Sequence, residues 1–484
     1  MELEPNDVNS DSIKHDTPTK KEISEAKEQA RKKRKENAQN RKAKAESKKR
    51  KNPITVTEED GKYTFHGRSL SPTKDKNEAL APYAKIILLR GKQLRLYPTE
   101  EQMLLIAKTN GCARVVRNEY LKQRIARFES DRTTLTVEEF KKDFLPKLKE
   151  EKPWLKEVDK FALEAAIEHV NRAYVNFFEG NANFPKAVKK HKDNGNRYTT
   201  KQTNDNIRLL EDNGLPFVKL PKLGSVRFAL PFKTTVNTLL LPNTRITKAT
   251  VIKIGKAYFV SLALETIVDR INPFTEVQRS RIIAMDMGIR KFCDYGPIEN
   301  GYEHVENPHW IKLHERRLRR FQRALSRKKY DKETHTGSKN WEKAKERVAK
   351  EHLKILNQRK DFQHQLSAKI AKNYNIVICE DLNIKGMVRN RHLAKEISSV
   401  GWGKFLSYVK YKLEAKGGML VKVGRWFPSS KLCSCGYKNT DLKSQLVWKC
   451  PVCHKINERD DNAVDNLLKE GLRILKDNNI SIAA

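Results

Sequence analysis

The chain has 484 residues, with 98 Lys and Arg against 60 Asp and Glu, a formal net charge of +38. One hydrophobic core stops growing near about 250–300 residues, so two to four structural units are expected. No apolar run approaches the roughly 20 residues of a membrane helix, and the start, Met1-Glu2-Leu3-Glu4-Pro5, lacks the basic-then-apolar layout of a secretory leader, which sets aside membrane-spanning and secreted classes. A charge of this size and sign calls for a polyanionic partner. Nucleic acid leads, because Lys and Arg placed on phosphates release condensed counterions.

Residues 1–84 read as a basic disordered tail. The first 52 hold 16 Lys and Arg against 10 Asp and Glu, with few apolar residues, too few to offset the entropy of folding. Arg31-Lys32-Lys33-Arg34-Lys35 and Lys48-Lys49-Arg50-Lys51 have the form of nuclear import signals or nucleic-acid arms. Residues 85–98 read as a β-strand ending at Pro98. Thr99 then caps a helix, with Gln102 three residues on. Helical spacing of apolar residues fills 99–183. Residues 184–278 return to short strands rich in Pro and Gly, which fits a small barrel whose first strand precedes the helical insertion.

From 279 the pattern changes. Ile282-Ile283-Ala284-Met285-Asp286-Met287-Gly288 is a short apolar strand ending in an acid and a glycine. Residues 310–372 form a basic helical stretch, interrupted near Thr334-His335-Thr336-Gly337. Asn375-Ile376-Val377-Ile378-Cys379-Glu380-Asp381 is a second strand ending in acids. Strand, helix, strand describes an α/β layer, and ligands bind at the carboxyl ends of such strands. Asp460 opens a last helix through Leu467, Leu468 and Leu472. Asp286, Glu380 and Asp460 lie 80–94 residues apart in sequence, and strand ends can bring them together. Converged carboxylates repel, and hard divalent cations offset that cost. Two such ions about 3.5–4 Å apart can clamp a scissile phosphate.

Of seven cysteines, Cys112, Cys293 and Cys379 are isolated and read as small buried hydrophobes. Cys433, Cys435, Cys450 and Cys453 fall within 21 residues. Cys450-Pro451-Val452-Cys453 is a good half-site for tetrahedral Zn²⁺. Cys433-Ser434-Cys435 has one residue between its thiols, which strains a knuckle, and His454 is an adjacent substitute.

These segments together resemble the TnpB family of transposon-encoded RNA-guided endonucleases, with its eukaryotic and viral Fanzor relatives and the compact type V CRISPR effectors. Asp286-Met287-Gly288-Ile289, Ile378-Cys379-Glu380-Asp381-Leu382 and Arg459-Asp460-Asp461-Asn462-Ala463-Val464-Asp465-Asn466 are similar to its three RuvC motifs. Arg95-Leu96-Tyr97-Pro98, Gly111-Cys112-Ala113-Arg114 with Asn118, and Phe427-Pro428-Ser429-Ser430-Lys431 extend the likeness from about Ile86 to Leu472. The family has two residues in the first cysteine half-site where this chain has one.

The resemblance implies an α/β multidomain protein. A split β-barrel wedge domain (85–98 and 184–278) carries a helical recognition insertion (99–183). An RNase H-like RuvC nuclease follows (279–426), with a zinc-ribbon insert (427–456) and a last RuvC segment (457–484). It implies an RNA-guided DNA endonuclease in which a non-coding omega RNA pairs with double-stranded DNA beside a short motif that the protein reads, one chain per guide. Two Mg²⁺ ions are expected on Asp286, Glu380 and Asp460, and Zn²⁺ on the four clustered cysteines. Tyr97, Asn110, Arg114, Arg117, Arg316, Arg320 and Arg459 are the expected nucleic-acid contacts. A compact type V CRISPR nuclease, a guide-dependent DNA-binding regulator without cleavage, and a strand-joining transposase are the competing readings. The basic tail suits a nuclear Fanzor; a bacterial relative would act in the cytoplasm or nucleoid. Trp310, Trp341 and Trp402 are base-stacking candidates that helical spacing assigns more readily to core.

Overall fold

The chain is described here by a computed structural model covering residues 54–66, 73–189, 196–270, 274–298, 301–334, 336–390, 392–442 and 445–483. It divides into two compact units, one up to Leu88 and one from Leu89 onward. The basic clusters at 31–35 and 48–51, and the disorder expected over 1–52, lie outside the described residues.

In the first unit, structure begins well before residue 85, which corrects the extent of the expected tail. β1 (Thr55–Glu59) and β2 (Lys62–His66) form an antiparallel hairpin, turned at Asp60 and Gly61, both with positive φ. α1 (Thr73–Leu80) follows, with Leu80 fully buried. Tyr63 meets Tyr83 edge-on at 5.7 Å, and the Tyr83 hydroxyl donates to the Val56 carbonyl at 3.0 Å. Only Val56, Tyr63 and Phe65 are apolar in the two strands, too weak an alternation to stand out in so polar a stretch.

β3 (Lys85–Tyr97) leads into α2 (Glu100–Asp131). The expected cap is present: the Thr99 hydroxyl accepts from the Gln102 N–H, and the Gln102 side chain accepts from the Thr99 N–H. α2 packs against α3 (Lys160–Phe178) around Val116, Tyr120, Phe140, Leu163 and Val170. Then come β4 (Arg197–Lys201), β5 (Arg208–Asp212), β6 (Leu215–Leu220), β7 (Gly224–Phe228), β8 (Thr244–Ile254) and β9 (Ala257–Asp269). They take the order β4-β8-β9-β3-β7-β6-β5. The strand before the helical insertion thus sits in the middle of a sheet built from strands after it. The strands expected to form a split barrel make one seven-stranded sheet edged by β4 and β5.

The rest is an α/β layer. Its elements are β10 (Glu276–Gln278), β11 (Ile282–Met287), β12 (Lys291–Ile298), β13 (Gly301–Glu306), α4 (Trp310–Ser326), α5 (Lys339–Asn373) and β14 (Ile376–Glu380). After these come α6 (Trp402–Glu414), β15 (Met419–Val423), β16 (Val447–Lys449), β17 (Ile456–Glu458), α7 (Arg459–Asp477) and β18 (Ser481–Ala483). The sheet order is β13-β12-β11-β14-β15. The first three strands are antiparallel, while β11, β14 and β15 run parallel. Ile283 and Met285 face a core built with α5 and α6 residues. Ile282 and Ala284 face another built with α7. A strand buried on both sides reads as an unbroken apolar run, which is why β11 and β14 were visible in the sequence. Cys112, Cys293 and Cys379 are buried thiols, as expected. No helix among the described residues is long and apolar enough to cross a membrane.

Candidate active site

Side chains alternate faces along a strand, so position fixes where the acids fall. Ile282 and Ala284 point to the α7 side, and Asp286 continues that face. Ile376 and Ile378 do the same in β14, and Glu380 continues it. The parallel register sets Ile282 beside Ile376 and Ala284 beside Ile378, so Asp286 and Glu380 end neighbouring strands at the same level. α7 packs on this face through Val464, Leu467 and Leu468, with Asp460 in its first turn, where the helix dipole favours a negative charge. The close approach depends on Gly471, since a Cβ there would overlap the Ile378 side chain. Gly288 has a similar role: an added Cβ would stand 2.9 Å from the Lys291 carbonyl oxygen.

The result is a concentration of negative charge. The Asp286 carboxyl is pushed up to about 7, first by burial and then by the charges of Glu380, Asp460 and Asp294, while the Met287 N–H acts the other way. Glu380 and Asp460 stand close enough to raise Asp286, yet the three acids are not drawn into a tight cage. An oxygen-only donor set carrying excess negative charge fits hard divalent cations, so Asp286, Glu380 and Asp460 are the residues that could hold them.

Several neighbours escaped the sequence reading. Asp294 lies directly across the ladder from Asp286 and is buried against the His304 ring. Lys291 Nζ bridges Asp294 (3.2 Å) and Asp460 (3.8 Å), and His304 Nε2 stands 3.9 Å from Asp461. The Asp461 carboxyl is raised by burial, against the pull of His304 and Lys291. The signal for Asp294 was its place in β12, but it needs the register to be seen.

The Ser429 hydroxyl donates to Glu380. Asn466 Nδ2 donates to the carbonyls of Ser429 and Leu432, at 2.7 Å each. Asn462 Nδ2 reaches the Leu432 carbonyl at 2.9 Å. The asparagines of the third motif therefore tie the helix bearing Asp460 to the segment that enters the cysteine cluster.

In that cluster the four Sγ atoms lie within 4.8 Å of one another. Cys433 to Cys453 is 3.5 Å and Cys435 to Cys450 is 3.6 Å. A disulfide would bring sulfurs to about 2 Å, whereas Zn–S bonds of about 2.3 Å in a tetrahedron set them near 3.8 Å. The one-residue spacing is accommodated by a tight turn, with Gly436 N–H donating to the Cys433 carbonyl at 2.9 Å and Gly436 at φ 93°. Burial disfavours the Cys433 thiolate, but hydrogen bonds involving the Cys435 backbone, Cys453 and Asn457 prevail and bring the thiol down to about 6. His454 holds the opposite turn at φ 60° through its N–H to the Cys450 carbonyl, and the cage is complete without its ring. Among the described residues, these four cysteines are the one group of three or more His, Cys, Asp or Glu side chains already gathered at metal-holding distances; the three acids stand farther apart.

The expected nucleic-acid contacts fall in several places. Asn110, Arg114 and Arg117 line one cleft of about 480 Å³ with His169, Arg197 and Tyr198. Asn110 is buried, its amide oxygen without a protein partner. Arg117 donates to the Lys186 carbonyl at 3.1 Å. Asn118 holds Val188 through both backbone groups, at 2.9 and 3.0 Å. Tyr97 is half exposed beneath the guanidinium groups of Arg95 and Arg227. Arg316 and Arg320 are exposed on α4, whereas Arg317 and Arg319 are occupied by Glu351 and Glu315. Arg459 is half-buried, and its N–H donates to the Leu446 carbonyl at 2.7 Å. Trp402 is core, Trp310 packs on Phe362, and Trp341 stacks on Tyr330.

An α/β layer with acids at its strand ends, followed by a four-cysteine insert, defines a RuvC-like enzyme of the transposon-associated class. Residues 266–391 match the family model "Probable transposase", residues 402–467 "Cas12f1-like, TNB domain" and residues 88–133 "Helix-turn-helix domain". The chain is 30% identical over 393 residues to a "Putative RNA-guided DNA endonuclease" of Streptomyces pristinaespiralis, covering 79% of this chain and 89% of that one. Similarity to "Putative RNA-guided DNA endonuclease InsQ" of Escherichia coli (strain K12) is 26% over 345 residues, covering 67% and 78%. The protein in "Cryo-EM structure of the Cas12f1-sgRNA-target DNA complex" shares the fold, with a TM-score of 0.51 at 12% identity over 79% of this chain and 98% of that one. The chain belongs to the TnpB family.

Proposed function

We propose that this chain is an RNA-guided DNA endonuclease whose cutting centre is Asp286, Glu380 and Asp460. The observation that carries the reading is the convergence of the three acids on one face of the sheet, in a chain whose relatives in Streptomyces pristinaespiralis and Escherichia coli are named for that activity. The seven-stranded sheet would act as the wedge domain and the helices between β3 and β4 as the recognition insertion. A guide RNA of the omega type and double-stranded DNA beside a short motif are the partners, one chain per guide. The cleft at Asn110, Arg114 and Arg117 suits reading of that motif, since guanidinium groups lining it match base edges and phosphates.

Two Mg²⁺ ions, when bound, would supply an activated water and charge for the leaving oxygen. Asp286, Glu380 and Asp460 would hold them. Ser429 orients Glu380 through its hydroxyl, and Asn462 and Asn466 fix the helix that presents Asp460. Lys291 balances Asp294 and limits the charge around Asp286. Zn²⁺ on Cys433, Cys435, Cys450 and Cys453 would lock the insert that carries Leu432. The basic clusters at 31–35 and 48–51 favour a Fanzor-like protein acting in the nucleus.

The test is purification with the RNA that accompanies the protein, sequencing of that RNA, and cleavage of a matched duplex. A defined non-coding RNA and Mg²⁺-dependent cutting of the matched target support the reading. Heterogeneous RNA with no guided cutting overturns it.

A further inference from the structure

β15 ends at Val423, which pairs with Glu380 in the parallel ladder. The chain then makes a tight turn, closed by the Phe427 N–H to the Gly424 carbonyl at 3.0 Å. Arg425 and Trp426 occupy its two corners. Two residues after the turn closes, Ser429 is buried and donates to Glu380. Phe427 packs into the core beneath α7. Trp426, between these anchored residues, is 90% exposed, the most exposed large hydrophobic side chain among the described residues.

Single exposed apolar residues are ordinary and need no role. Position separates this one. Arg425 reaches back along the surface to the end of β14, its Nη2 3.4 Å from Asp381 Oδ2 and its Nε donating to the Asp381 carbonyl at 3.4 Å. The same carboxylate takes Lys422 at 2.8 Å. The turn is therefore pinned to the residue after Glu380, and the indole is held at the rim rather than left on a loose loop. Three residues span at most about 11 Å, so Trp426 stands within roughly three nucleotide steps of Ser429 at a rise of 3.4 Å. A strand entering a cluster of carboxylates is repelled through its phosphates. It needs purchase beside the cluster that does not depend on charge, and a flat aromatic face offers this to any base.

Resting on the endonuclease reading above, we propose that Trp426 is a stacking platform for a base of the single DNA strand being cut, holding that strand at the carboxylates. It is independent of base identity, because every base presents a π-face.

The test uses the full chain loaded with its guide RNA. With Asp286→Ala to keep the substrate intact, a 2-aminopurine within three nucleotides of the cut reports stacking by quenching. Emission should rise several-fold when Trp426→Ala is added and stay low with Trp426→Phe. In the otherwise wild-type chain, Trp426→Ala should slow single-turnover cleavage about ten- to a hundredfold, the usual range for one lost stack. Target binding should change by less than about threefold. If 2-aminopurine stays as quenched with Trp426→Ala as without it, the proposal is overturned whatever the cleavage rate. Undiminished cutting by Asp286→Ala alone would instead remove the assignment of the cutting centre to these carboxylates, on which the platform rests.

Discussion

The four cysteines and the three carboxylates are assembled by opposite means. The cysteines lie within 21 residues, and two local turns bring their sulfurs to 3.5–3.6 Å in pairs. The carboxylates come from elements 80–94 residues apart. Sheet register and one packed helix bring them together against the burial and the mutual repulsion that raise Asp286. One site is written locally and is nearly complete in the bare chain. The other depends on the whole layer, and its acids stand farther apart. The two meet at Leu432, whose carbonyl takes both Asn462 and Asn466.

That contrast can be broken most strongly at the acids. Asp286→Ala should reduce guided cleavage by about a thousandfold or more, with RNA binding and zinc content unchanged; an RNA gel shift and metal analysis check this. Cys433→Ser should take zinc from about one per chain to well under one. Because the change is local, guide RNA should still bind, while cleavage falls about a hundredfold as the Leu432 anchor slackens.

Asn466→Ala sharpens the link between the sites. It takes this donor from the Ser429 carbonyl and leaves the Leu432 carbonyl with Asn462 alone; a buried acceptor left unpaired costs about 1–3 kcal/mol. Cleavage should drop roughly tenfold with zinc retained; loss of zinc instead would make the asparagine part of the ribbon's own fold. Gly471→Ala should force α7 away from Ile378, costing about 1–3 kcal/mol of overpacking, seen as a lower thermal midpoint. Ser429→Ala should have the smallest effect, a several-fold slower cut at unchanged target affinity.

Legibility followed the same division. Cys450-Pro451-Val452-Cys453 announced itself by spacing, and Asp286 and Glu380 by the apolar runs they end, because strands buried on both faces leave an unbroken signal. Thr99 with Gln102 marked a helix start through local hydrogen bonds alone. Asp294, Lys291 and His304 were missed because their contacts exist only once β12 and β13 pair beside β11. Ser429 was quoted within a motif, but its partner lies 49 residues earlier. The hairpin at 55–66 vanished into a polar composition. Trp426 drew no notice beside Trp310, Trp341 and Trp402, whose helical spacing already pointed to packing, as the structure has them. The Cys433-Ser434-Cys435 spacing looked strained because sequence alone does not show the turn that accommodates it.

Diffraction from crystals of the guide-loaded protein grown with Mn²⁺ in place of Mg²⁺ addresses the cutting centre directly. The account predicts anomalous peaks lying between Asp286, Glu380 and Asp460, absent from crystals of Asp286→Ala. Manganese seated elsewhere, or retained in place after that substitution, would contradict it.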